Sequence, residues 1–185
     1  MNDSRWLDRG QMAAWVRFVA VLELLPGVLD SQLRHDSGVT HFEYFVMAEL
    51  SEAPDGTQRM AELAGATNAT LSRLSHVVAR LEERGYVERS PCPENGRATN
   101  ARLTEAGRAK MRAAAPGHVA TVRRHVIDVL SPEQVTQLTA ISDAILGSIA
   151  PAGPMAESYR RYDEPGPAWK DQRHDHHRVP DCTTG

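Results

Sequence analysis

Between positions 68 and 102 the sequence gathers side chains that donate and accept hydrogen bonds. Asn68, Thr70, Ser72, Arg73, Ser75, His76 and Arg80 come in one stretch, followed by Arg89, Arg97 and Arg102. Amide, hydroxyl, imidazole and guanidinium groups of this kind grip phosphate oxygens and read the edges of bases. No carboxylate interrupts the first stretch until Glu82, so its surface suits a polyanion. Arg73 is the residue fitted for a bidentate contact with guanine, while Thr70, Ser72, Ser75 and Arg80 suit phosphates. Arg97 follows Asn95-Gly96, a pair that favours a tight turn, and an arginine on such a tip can enter a narrow minor groove. Arg89 and Arg102, on either side, could hold the flanking backbone.

Any solvated helix carries Ser and Arg, so the reading depends on the elements that position these groups. Leu71, Leu74, Val78 and Leu81 recur at three- and four-residue steps and predict a helix with that row inward, capped by Thr67 or Asn68 and stopped at Arg84-Gly85. Just before it, Gln58 to Ala64 reads as a short helix with Met60, Leu63 and Ala64 on one side, ended by Gly65. Just after it the period changes to two, in Tyr86–Arg89 and Thr99–Leu103, around the turn Pro93-Glu94-Asn95-Gly96. A short helix, a turn and a longer helix make a helix-turn-helix, and a hairpin directly behind makes it winged.

The flanks are helical too. Trp15, Phe18, Val19, Leu22, Leu25, Leu29 and Leu33 form the stripe of a helix from Trp6 to about Leu33, which Pro26-Gly27 should kink. Thr40-His41-Phe42-Glu43 has the form of a capping box and starts a helix to about Ser51, followed by a turn at Ala53-Pro54-Asp55-Gly56. Thr104 can cap a long helix to about Val129, and Ser131-Pro132-Glu133-Gln134 begins another that shows Val135, Leu138, Ile141, Ile145 and Ile149. The predicted class is mainly α (α+β): a winged helix-turn-helix between N- and C-terminal dimerisation helices. Residues 1–150 form this domain, with the DNA-binding lobe at about 55–104 and dimerisation helices at about 6–35 and 105–150. Residues 151–185, with five prolines and few aliphatic side chains, are expected to be a disordered tail.

Composition agrees. The 185 residues are 41% hydrophobic, 24% charged and 5% aromatic, which disfavours an all-β fold. The net charge of -3 hides a division: residues 1–56 hold four Arg against nine Asp and Glu, whereas residues 57–104 hold seven Arg against five Glu. A locally basic middle in an acidic chain fits a site-specific binder rather than a general nucleic-acid coat. Arg17, Glu23 and Asp30 interrupt the most apolar stretch, so no membrane span and a cytoplasmic location are expected. Cys92 and Cys182 cannot build a disulfide framework or a zinc site. Cys92, between two prolines, is expected to be exposed.

These blocks carry a resemblance. The run from Thr40 to about Leu146 resembles the MarR family of bacterial transcriptional regulators, in THFEYFVMAEL, in LSRLSHVVARLEERGYVER, in GRATNARLTEAGR and in SPEQVTQL. The resemblance implies a winged-helix homodimer, a repressor of a pseudo-palindromic operator, a recognition helix over Asn68–Arg84 and a wing-tip arginine at Arg97. The family usually has Asp two residues before that arginine, where this chain has Asn95, which replaces a charge-assisted brace with a weaker hydrogen bond. Such regulators often bind small aromatic anions in the crevice between the dimerisation helices and the DNA-binding lobe. Trp15, Arg17, His35, His41, Tyr44 and His118 fall on helices bordering that crevice and are candidate effector contacts. The rival reading is a small-molecule or metal sensor with the fold and no operator. No catalytic constellation, cofactor fingerprint or metal site is expected, the His174, Asp175, His176 and His177 cluster lying in the tail without a rigid shell.

Overall fold

A computed structural model describes residues 6–92, 95–150 and 153–163, with 95–97 and 157 in backbone only. Helix α1 spans Arg9–Ser37, α2 His41–Glu52, α3 Met60–Ala66, α4 Leu71–Glu83, α5 Glu105–Val122, α6 Pro132–Ile149 and α7 Ala156–Arg160. A three-stranded antiparallel sheet consists of β1 (Thr57–Arg59), β2 (Val87–Cys92) and β3 (Asn95–Leu103) in the order β1-β3-β2. β1, too short for an alternating pattern, is absent from the sequence reading. It pairs Gln58 with Ala101 and ties the start of the helix-turn-helix to the wing.

The helix starts follow from their caps. Asp8, Thr40 and Ser131 each accept from the backbone of the third residue on, whose Gln or Glu side chain bonds back, so α1, α2 and α6 begin with full capping boxes. α1 runs unbroken through Pro26 as one 29-residue helix. α5 continues into a π-helical turn, Arg123–Ile127, before the Ser131 cap restarts the chain.

The central lobe has one core. Val46, Met47 and Leu50 of α2, Leu63 of α3, Leu74, Val78 and Leu81 of α4, and Val87, Ala101 and Leu103 of the sheet are all buried, with Leu33 and Ala114 closing it from α1 and α5. Gly107 lets α5 start against the sheet, since a Cβ there would lie 2.2 Å from the Tyr86 carbonyl oxygen. The outer helices differ. α6 buries no residue, and its Ile141 and Ile149 stay 56% and 72% exposed; α1 buries only Leu29 and Leu33. An 18-residue window of α1 has a mean hydropathy of 1.7, enough by length and composition to cross a membrane despite its interrupting charges.

Four expectations need correction. α4 starts at Leu71 with Thr70 as its cap, because Thr67 spends its hydroxyl on the Leu63 carbonyl at 2.7 Å and Asn68 takes a left-handed turn (φ 48°). Leu71, predicted inward, is 52% exposed, and Val77 fills the core position instead. The chain after α6 is not disordered throughout: residues 153–163 dock on the lobe. Pro154 lies where a Cβ on Gly65 would come within 2.6 Å. Ser158 donates to the buried Glu49 carboxylate at 2.9 Å, and Arg161 reaches it at 3.3 Å. Burying a carboxylate requires partners, and this segment supplies them. His174, Asp175, His176, His177 and Cys182 lie outside the described residues. Cys92 is buried rather than exposed, at the end of β2.

Candidate nucleic-acid interface

The site is built on α4. Its inward row of Leu74, Val77, Val78 and Leu81 fixes the helix azimuth, which turns Ser72, Arg73 and His76 outward and leaves Ser75 half-buried at the margin. Asn68 and Thr70 stand exposed in the turn before it. The Thr70 hydroxyl accepts from the Arg73 backbone at 3.2 Å, which satisfies an orphan donor of the first turn while leaving its O–H free to donate outward.

The arginines divide into two groups. Arg80 donates through Nε to Glu43 at 3.1 Å, and Arg84 reaches the same carboxylate at 3.5 Å while also donating to the Gly38 carbonyl at 2.8 Å. Glu43 is only 4% exposed, so these pairs bind α4 to the start of α2. Arg89 grips Glu82 with two nitrogens and holds that carboxyl below the usual range. Arg102 pairs with Glu88 across the wing at 3.1 Å. Arg73 differs: its guanidinium lies over the Phe42 ring, 4.2 Å from the centroid, at the mouth of a cleft of about 380 Å³ between α1, α2 and α4. Arg97 lies on β3 in an irregular stretch, where the partner jumps from Thr99 to Asn95 as β2 advances from Pro91 to Cys92; its side chain is outside the described residues.

The expected phosphate contacts are thus reordered. Arg80, Arg89 and Arg102 each hold a carboxylate of the same protomer, whereas Ser72, Arg73 and His76 form an outward face. Glu43, Arg84 and Phe42 were missed as contributors. Spacing signals only part of this: Arg80 and Arg84 are four residues apart and so share a helix face, but their partner lies some forty residues earlier.

The effector candidates separate as well. His41, Tyr44 and His118 come together, the His118 ring 5.9 Å from His41 and 4.8 Å from Tyr44. Burial pushes both histidines below their ordinary range and the Tyr44 phenol above its own. The His118 Nδ1 is buried with no hydrogen-bond partner among the described residues. His35 lines a second cleft of about 750 Å³ between α1 and α5, with Val28, Gln32, Thr121, Arg124 and His125 among its walls. Trp15 and Arg17 line neither cleft; Arg17 folds back on the Ala13 carbonyl at 2.9 Å.

Comparison with known proteins follows the same lines. The MarR family model matches residues 39–99. Sco3205 of Streptomyces coelicolor, a MarR family transcriptional regulator solved in complex with DNA, is 39% identical over 82% of this chain and 95% of its own, with a TM-score of 0.78. AbsC of the same organism, also a MarR family regulator, is 39% identical over 85% of this chain and 99% of its own, with a TM-score of 0.71. The transcriptional repressor IacR of Pseudomonas putida is 38% identical over 53 residues, 29% of this chain; the match spans about a third of that repressor's length, 32%. With identity over 82% of the chain and fold in agreement, this chain belongs to the MarR family, whose members are transcriptional regulators rather than enzymes.

Proposed function

We propose that this regulator is a repressor that binds a pseudo-palindromic operator as a homodimer, with α4 in the major groove and the wing beside it. The observation that carries the reading is the outward face of α4, where Ser72, Arg73 and His76 are exposed and Arg73 sits on a neutral ring rather than on a carboxylate. In the two-fold dimer the exposed stripes of α1 and α6 pack on their copies. Two α4 helices then address half-sites about one helical turn, roughly 34 Å, apart. Work on chromosomal DNA places the protein in the cytoplasm.

Control by a small anion with an apolar body is supported by the cleft between α1 and α5, where Arg124 offers charge and donors beside Leu24 and Val28, and where Asp36 of the same wall holds the His35 ring at 2.7 Å. α1 and α5 also join the dimerisation region to the lobe. A ligand that binds one spacing of the recognition helices better than another therefore shifts operator affinity by that difference.

The test is selection of duplexes from a random-sequence pool by purified protein at about 0.15 M salt, where non-specific phosphate contacts fade. Enrichment of a pseudo-palindrome supports the reading. Failure to enrich any site, with the protein folded and dimeric, overturns it and leaves a sensor without an operator.

A further inference from the structure

We propose that Phe42, on α2 and outside the helix-turn-helix, is a positioning residue for base recognition: its ring holds the Arg73 guanidinium in the pose that reads DNA. This rests on Arg73 as a base reader. An arginine held by a carboxylate spends donors on that partner, as Arg80 does through Nε and Arg89 through Nε and a terminal nitrogen. An arginine held by the face of an aromatic ring is restrained through its π-plane, while the N–H edge that would meet guanine O6 and N7 stays available. Among the described residues no hydrogen bond or ion pair holds the Arg73 guanidinium, and the ring centroid is 4.2 Å away.

The surroundings maintain that choice. Asp30 lines the same cleft, and its carboxylate is bonded to the Arg34 Nε and accepts the His41 backbone N–H at 2.9 Å. The ring itself is fixed by its neighbour: Glu43 closes the capping box with Thr40 and binds Arg80 and Arg84 of α4. These bonds tie the start of α2, and with it Phe42, to α4.

The experiment is a double-mutant cycle on the duplex selected by the wild-type protein, against a scrambled duplex of equal composition. Phe42→Leu keeps an apolar side chain of similar bulk and removes the ring; Phe42→Tyr keeps the ring. Phe42→Leu is expected to weaken binding to the selected duplex about threefold to tenfold, leaving the scrambled duplex and the salt dependence unchanged. Phe42→Tyr restores binding, and in an Arg73→Ala background Phe42→Leu has no further effect. Equal losses on both duplexes, or an undiminished loss in the Arg73→Ala background, would show that Phe42 only supports the fold and overturn the proposal. If Arg73→Ala alone leaves the selected duplex as tightly bound as before, Arg73 is not a base reader and the proposal falls with that reading.

Discussion

The central lobe and the helices around it solve the problem of apolar surface in opposite ways. In the lobe, Val46, Met47, Leu50, Leu63, Leu74 and Leu81 are completely buried by neighbours of the same chain. In α1 and α6, Leu24, Trp15, Ile141 and Ile149 remain half or more exposed, although these helices are capped as well as any in the lobe. Well-capped helices that keep large apolar side chains exposed, α6 along its whole length and α1 outside Leu29 and Leu33, present a surface suited to another molecule. The core of the lobe is complete within one chain, whereas the exposed stripes of α1 and α6 are the surface that the proposed second copy would cover.

Substitutions on the two sides should therefore fail differently. In the proposed dimer, Ile141→Asp puts a charge into the shared face twice. At about 3 kcal/mol for each unpaired buried charge it should cost roughly 6 kcal/mol of association, yielding a monomer in sedimentation equilibrium. Retention of the dimer would break the contrast. Leu81→Ala empties a fully buried position of the lobe and should cost about 2–5 kcal/mol in denaturant unfolding, whatever the effect of protein concentration on the wild type. A loss below 1 kcal/mol would mean that the lobe is less self-sufficient than its burial implies.

The smallest effect is expected at the seam between the two regions, where His41 of α2 faces His118 of α5. Burial holds both imidazoles below the ordinary value of 6.5, so the unfolded chain takes up protons first as pH falls. Their contribution is complete above about pH 6.5 and is lost as pH drops through and below that value. The charged groups nearby act on the same balance: Asp30, beside His41, favours its protonated form, and His41 disfavours the charge on His118. The melting temperature should fall between pH 7.5 and 5.5, and by less in His118→Asn. An equal fall in that variant would place the responsible groups elsewhere.

The contrast also explains what could be read in the sequence. Capping boxes, the Ser131-Pro132 start and the row Leu74, Val78, Leu81 are local patterns, and each marks an element the structure contains. The winged helix-turn-helix followed from their order. Leu71 was misplaced because periodicity cannot tell the last inward residue from the first outward one at a helix start. β1 is three residues long and exists only through its pairing with β3. The segment around α7 has little apolar content, and what holds it is Glu49, more than a hundred positions away. The pairing of Arg80 with Glu43, and the rest of Arg73 on Phe42, are likewise decided by tertiary contact between α2 and α4. The residue types of the interface were legible, whereas which arginines remain available for DNA was not.

The measurement that bears most directly on the account is the mass of the wild-type protein in solution, free and bound to its selected duplex, by light scattering after size-exclusion chromatography. The account predicts twice 20.4 kDa for the free protein and the same two protomers on one duplex that carries both half-sites. A free protein of 20.4 kDa, or one protomer on the duplex, would contradict it, because the exposed faces of α1 and α6 would then have no partner.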